Sequence, residues 1–397
     1  MWRSMGKATL NIVADGHVWG AEHAFRALYG HDVNLRILPA SALDAAAVRD
    51  ADILLVRSST RVDAALLAGS RVRFVATATI GDDHVDKGWL SRQGIAFASA
   101  AGSSTGSVLE YMVALFLHLH HQGLLPLPGT TLGVIGAGRI GREVVRLAEA
   151  LGMRVLVNDP PRARQEGAAG FVDLDTLLHE ADLLTLHTPL IRQGEDATLH
   201  LLDRERLARF HGRGIINAAR GACVDNRALA DWLDGDDSRF AALDCWEGEP
   251  AVSARLLSHP QLVVATPHIA GHSLDGKAAN TEAVYRALCR FLRIEPAWAA
   301  TDDLPACQLV HAVNCNHDIW QGLYAAAMSM YPLVNDHAAF VSWLMMADPA
   351  GEFVRFRRNY PVRRAWSRQQ VRFVDAPTGI VPLAQQLGMC VAGGDQS

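Results

Sequence analysis

The stretch GVIGAGRIGREVVRLAEALGMRVLVNDPP, running from Gly133 to Pro161, decides the fold. Gly136, Gly138 and Gly141 fall in the order G-x-G-x-x-G, after the apolar run TLGVI and at the head of the helical run RIGREVVRLAEALG. Strand, glycine-rich turn and helix in that order make a dinucleotide-binding unit. Gly136 suits the tight turn, Gly138 the close approach of a pyrophosphate and Gly141 the packing of helix on sheet. Arg139 and Ile140 open the helix, whose first N–H groups face the phosphates. Asp159 ends the next strand, where a carboxylate accepts hydrogen bonds from ribose hydroxyls and repels a 2'-phosphate. Arg162 and Arg164 follow it and are the residues that would serve NADP; with Asp159 in place the reading is NAD.

Working outward, the same rhythm continues through DLLTLHT, GIINAA, FAALDCW and LVVATPH, with helices between most of them. It also precedes the motif, as TLNIVA, VNLRIL, ADILLVRS, VRFVATA and GIAFAS. Strands alternating with helices imply parallel sheets, so two doubly wound α/β domains are expected. TGSVLEYMVALFLHLHHQG reads as one long helix ending near Gly123, and a second runs from Ser273 to Ile294. EPAWAATDDLPA has linker composition. Beyond it the sequence is expected to be helical to about Tyr360, with a strand at QVRFVDA and a helix at GIVPLAQQLG.

A length of 397 residues, half of them hydrophobic, exceeds what one core usually serves. The formal charge of -5 supplies no basic field, so neither nucleic acid nor an anionic membrane is expected as a partner. Met1 to Lys7 carries charge with no apolar run behind it, no signal peptide is expected, and Met5 is an alternative start. The six cysteines contain no C-x-x-C pair, which suits reduced thiols in a cytoplasm and argues against structural zinc.

Three polar residues lie just beyond strands of the second sheet, where open α/β folds bind ligands: Arg220 in INAARGACVDN, Glu249 in LDCWEGEP and His268 in VVATPHIAG. Arginine holds a carboxylate through paired hydrogen bonds, histidine is a base near neutral pH, and a glutamate beside it sets its tautomer. Taken singly, each is more often a surface or structural residue.

Together, the mid-sequence G-x-G-x-x-G, the ARG motif, the downstream EP and the PH resemble the D-2-hydroxyacid dehydrogenase family. The resemblance implies an NAD-dependent enzyme in which Arg220 binds the substrate carboxylate, His268 takes the hydroxyl proton and Glu249 supports His268. It also implies a flavodoxin-like substrate domain made of residues 8–103 and completed by 272–295, around a Rossmann NAD domain at 104–271. VRSSTRV, FVATATIGDDHVD, HTPL and HIAGHSLDGKA tighten the match to a branch acting on a phosphorylated 2-hydroxy acid. GEFVRFRRNYPVRRAW, Gly351 to Trp366, is similar to that branch's own C-terminal α+β domain, which makes a homodimer and is placed at 298–397. Matching positions put Ser58, Thr79 and His272 at the substrate, and Thr188, Asp244 and Gly271 at the cofactor beside Gly136, Gly138, Arg139, Ile140, Gly141 and Asp159. Two positions depart from the pattern: Ser104 stands where an asparagine is usual, and His272 where a tyrosine is.

Other signals point elsewhere or nowhere. His118, His120 and His121 lack a nearby carboxylate or thiol and read as a helix-end cluster, with no metal expected. Cys245 reads as core packing. Arg355, Arg357, Arg358, Arg363 and Arg364 read as ion pairs on a solvated surface, the alternative being attraction of substrate phosphate across a dimer interface. A dehydrogenase of another acid, such as 3-phosphoglycerate, and an NAD-sensing binding protein are the competing functional readings.

Overall fold

The computed structural model describes residues 9–28 and 30–392, so the reading of Met1 to Lys7 lies outside the described residues. Two compact units result. One joins the residues up to Ser104 with Ser273–Ala306, and the other joins Thr105–His272 with the residues from Cys307 onward.

The first unit is built on β1 (Thr9–Asp15), β2 (Asp32–Leu38), β3 (Ile53–Val56), β4 (Phe74–Thr77) and β5 (Ala96–Ser99). All pair in parallel in the order β2-β1-β3-β4-β5, the flavodoxin-like arrangement. Helices cover both faces, so the central strands are apolar without alternation, and ILLV of β3 is buried throughout. The helix Leu274–Leu292 returns to this unit and packs Ala278, Val284, Tyr285 and Leu288 into the same core as Ile12, Phe25 and Ile53. Asp44, Asp63, Asp86 and Ser273 cap helices here by accepting from N–H groups in the first turn.

The second unit holds β6 (Thr131–Ile135), β7 (Arg154–Asn158), β8 (Leu183–Leu186), β9 (Gly214–Asn217), β10 (Phe240–Leu243) and β11 (Leu262–Ala265). Their order, β11-β10-β9-β8-β6-β7, is again wholly parallel. The order reverses between β6 and β8, which opens a crevice beyond their carboxyl ends. Beside β7, Val172 N–H donates to Val157 O and Asn158 Nδ2 to Val172 O, each at 2.8 Å.

Residues 307–392 cluster with this sheet in the second unit. Leu323, Ala327, Tyr331 and Trp366 share one core with Tyr111, Phe116 and Leu132. One element corrects the sequence reading. The segment expected to be helical throughout contains β12 (Val310–Asn314), which pairs in parallel with β13 (Gln370–Val374). VHAVN is too short for its own period to speak, and its partner is remote in sequence, so local pattern carries no sign of the pairing.

The three clustered histidines end the helix Thr105–His121. His118 is buried beside Tyr324 and its pKa is pushed down to about 4, first by burial and then by His121 and His337. His120 Nδ1 accepts from Leu127 N–H at 3.2 Å, and His121 stacks on Tyr324 with ring centroids 3.8 Å apart. All six cysteines are free thiols, four of them buried. Among the described residues no helix is long and apolar enough to cross a membrane.

Candidate active site

β6 leads directly into Gly136 at φ +89°, a conformation open to glycine, and the helix Arg139–Ala150 starts from Gly138. A methyl group added at Gly136 would lie 2.7 Å from Thr188 Cγ2 and 2.9 Å from the His187 carbonyl oxygen. Added at Gly141, it would collide with the Gly136 carbonyl oxygen. At Gly138 it would meet nothing within 4 Å. Two glycines therefore let helix and strands close on each other, and the third leaves the space above the helix N-terminus where a pyrophosphate fits. Gly141→Ala should force helix from turn at a cost of about 1–3 kcal/mol. A lower Tm together with weaker NAD binding by fluorescence titration is expected; an unchanged NAD Kd would show the contact to be irrelevant to the cofactor.

Asp159 follows β7 and caps the helix Pro160–Glu166. Its Oδ2 accepts from Ala137 N–H at 2.8 Å, and its Oδ1 accepts from Arg162 N–H at 3.1 Å. The carboxylate is thus tied to the glycine turn itself, with further lone pairs for ribose hydroxyls. Of the two arginines behind it, Arg164 pairs with Asp196 and Glu195, while Arg162 pairs with Glu166 at 2.6 Å and also donates from Nη1 to Ala137 O in the glycine turn. The Asp159 carboxylate at the turn favours NAD over its 2'-phosphorylated form. Arg139 and Ile140 form the first turn, and Ile140 also packs against the core.

The second cluster lies beyond β9, β10 and β11. Asn217 ends β9; its Nδ2 donates to Arg220 O at 3.0 Å and its Oδ1 accepts from Ala219 N–H at 3.1 Å, so one buried amide shapes the turn that presents Arg220. Gly221 follows because even a methyl group there would strike the backbone of Trp246 and Glu247. Arg220 is partly exposed and its Nη1 donates to Ala219 O at 2.7 Å.

His268 sits in the left-handed region at φ +54°. Its Nδ1 lies 2.7 Å from Glu249 Oε1. A carboxylate there accepts only, which assigns a proton to Nδ1 and makes Nε2 the ring nitrogen left to exchange one. Burial opposes the Glu249 charge, yet His268, their hydrogen bond and the Arg357 guanidinium outweigh it and hold the carboxyl below its ordinary range. Glu249 Oε2 also accepts from Trp246 N–H at 3.3 Å.

Several residues hold the His268 loop through contacts that no motif announces. Asp244, expected at the cofactor, is buried with its carboxylate accepting from Thr266 Oγ1 and Ile269 N–H, each at 2.7 Å, and from Ala270 N–H at 3.1 Å. Burial pushes its carboxyl up, against the pull of His268 and these bonds. Tyr111 OH lies 2.9 Å from Thr266 Oγ1, and Trp246 Nε1 donates to Thr266 O at 2.9 Å. From the C-terminal segment, Arg357 Nε donates to His268 O at 3.2 Å and Arg363 Nη2 to Ala270 O at 3.4 Å. Arg363 is no surface residue: it is buried, paired at 2.6 Å with Glu110 Oε2 and set 4.0 Å above the Tyr331 ring. A lone carboxylate in the apolar run SVLEYMVALF was the available signal, because a charge in a buried helix needs a partner.

Cys245 packs as expected, with its thiol pushed well up by burial and its Sγ 3.3 Å from Ala219 O. Thr188 follows β8, with Oγ1 3.6 Å from Cys223 Sγ, and Gly271 ends the loop behind His268. His272 is buried, its ring edge-on to Tyr360 at 6.0 Å, and Tyr360 OH donates to Asp336 Oδ2 at 2.6 Å.

In the first unit, Ser58 is exposed beyond β3. Thr79 lies past the end of β4, where its Oγ1 donates to Gly81 O at 2.8 Å. That donation makes Thr77 Oγ1, 2.7 Å away, the donor to Thr79, and His84 Nε2, at 3.0 Å, the donor to Thr77. Thr79 Oγ1 therefore acts as both donor, to Gly81 O, and acceptor, from Thr77. Ser104 is buried.

Comparison with known proteins agrees with this geometry. The model of the D-isomer specific 2-hydroxyacid dehydrogenase, NAD binding domain, matches residues 118–270. Erythronate-4-phosphate dehydrogenase of Azotobacter vinelandii is 43% identical over 385 residues, covering 96% of this protein and 99% of that one. This protein belongs to the D-isomer specific 2-hydroxyacid dehydrogenase family. The erythronate-4-phosphate dehydrogenase of Chromohalobacter salexigens is 40% identical over 387 residues, again covering 96% and 99%. Among solved structures, Aquifex aeolicus D-lactate dehydrogenase, complexed with NAD and lactic acid, is similar with a TM-score of 0.61 and 25% identity, over 71% of this protein and 96% of that one. As a D-isomer specific 2-hydroxyacid dehydrogenase the protein is an NAD-dependent oxidoreductase. Bound NAD supplies the hydride acceptor. The open space at Gly138 and the Asp159 carboxylate fit that cofactor.

Proposed function

We propose that this protein oxidises 4-phospho-D-erythronate to 2-oxo-3-hydroxy-4-phosphobutanoate with NAD, a step of pyridoxal 5'-phosphate biosynthesis. The carrying observation is the 43% identity to an erythronate-4-phosphate dehydrogenase over 96% of the sequence, the C-terminal segment included. In this reading Arg220 grips the substrate carboxylate through its guanidinium. His268 Nε2 takes the C2 hydroxyl proton as hydride leaves the carbinol carbon, and Glu249 balances the imidazolium that forms. Thr188, Asp244 and Gly271 stand on the cofactor side, and Ser58, Thr79 and His272 on the substrate side. The stretches 8–103 with 272–295 are assigned to substrate binding, 104–271 to NAD, and 298–397 to a homodimer contact, in a cytoplasmic protein.

The test is NADH formation with 4-phosphoerythronate beside 3-phosphoglycerate and simple 2-hydroxy acids, a 2-oxo acid being present in a parallel reaction to relieve product inhibition. A kcat/KM for 4-phosphoerythronate at least about a hundredfold above the others is expected. Preference for another acid would favour the second reading, a redirected dehydrogenase, which Ser104 and His272 motivate: serine lacks the reach of an amide, and histidine changes the position and charge of the donor.

A further inference from the structure

Arg357 ends its helix, Pro349–Arg358, against the catalytic loop. Its Nε donates to His268 O at 3.2 Å, and its guanidinium carbon stands 5.6 Å from the Phe353 ring centroid. Of its cluster neighbours, Arg355 pairs with Glu352 at 2.6 Å and Arg363 with Glu110, while Arg358 is exposed on the surface. Arg357 differs. It is partly exposed, and among the described residues no carboxylate lies within ion-pairing distance of it. Its Nη1 and Nη2 make no hydrogen bond to a described residue, while Glu249 lies near enough to feel its charge.

A half-buried guanidinium with one nitrogen fixed and its fork uncommitted is a prepared anion receptor. The fixed bond sets its position relative to the base, because the bonded oxygen is the backbone carbonyl of His268 itself. We propose that Arg357 is a specificity-determining residue that receives the substrate's phosphate. This rests on the reading of the substrate as a phosphorylated 2-hydroxy acid. In such a substrate the phosphate lies two carbons from the carbinol, so an anion receptor tied to the base's own backbone is placed to measure that spacing. It also gives the C-terminal segment a part in substrate choice apart from any role between subunits.

The experiment compares wild type, Arg357→Met, Arg357→Lys and the control Arg355→Met. Each is assayed with 4-phosphoerythronate and with unphosphorylated D-erythronate, and each NAD complex is melted with and without inorganic phosphate. Arg357→Met should lower kcat/KM for 4-phosphoerythronate about 100-fold, chiefly through KM, with a loss on D-erythronate within about fivefold. Arg357→Lys should recover part of that, since it restores charge without the fork. Arg355→Met should behave as wild type. Inorganic phosphate should raise the Tm of the wild-type complex and not that of Arg357→Met. Equal losses on both acids, or phosphate stabilisation that survives in Arg357→Met, would reduce Arg357 to a backbone prop and overturn the proposal. A wild type that does not prefer 4-phosphoerythronate sinks the functional reading instead, and the phosphate melts then decide separately whether Arg357 binds the anion.

Discussion

His268→Gln lowers kcat for hydroxy-acid oxidation by about three orders of magnitude and leaves the NAD Kd within about twofold. Glutamine matches the imidazole in size but has no nitrogen basic enough to take a hydroxyl proton, so the loss is that of general-base catalysis, which is worth about 10²–10⁴. The glycine turn after β6 and Asp159 after β7, proposed to hold the pyrophosphate and ribose of NAD, are separate from it in sequence. His268 comes instead from the loop after β11, held by Asp244 through Ile269 and Ala270. That loop stays in place in the variant because its anchors are backbone N–H groups rather than the imidazole. Stopped-flow single turnover with preloaded NAD isolates the chemical step, and a rate within tenfold of wild type would show that another group removes the proton.

Arg363→Met destabilises the protein by about 3–5 kcal/mol. Side-chain exposure is only 5% for Arg363 and 10% for Glu110, and their contact is 2.6 Å. Removing the guanidinium takes the Oε2 partner from a buried carboxylate that also accepts from Trp366 N–H, at 2.8 Å on Oε1. The Tyr331 ring also loses the cation above it, and Ala270 O loses its donor. Because the penalty is an uncompensated charge, the double variant Glu110→Gln with Arg363→Met should regain most of the loss. Urea unfolding of the four proteins completes a double-mutant cycle. Strict additivity would mean that the two residues do not act as a pair.

The strands were legible because each has its own local signature. TLGVI, GIIN and FAAL are apolar runs bounded by turn residues, buried on both faces as parallel strands must be. Arg220, Glu249 and His268 were legible by motif. The pairing of β12 with β13 was not, nor was the burial of Arg363, which a sequence of alternating arginines and aromatics presents as surface. Asp244 was placed near the site by position, but its hydrogen bonds to the loop that carries His268 were not legible.

By itself the sequence determined the two parallel α/β sheets, the glycine turn with its acidic partner, and the three polar residues beyond the second sheet. These are properties of short stretches, where period, turn chemistry and residue type act over a few positions. Only the tertiary structure decided the partners: Asn217 beneath Arg220, Asp244 beneath His268, Arg357 on the His268 carbonyl and Glu110 with Arg363. Most of those contacts join residues far apart in sequence. Their geometry follows from how helices and sheet share one core, which no local pattern encodes.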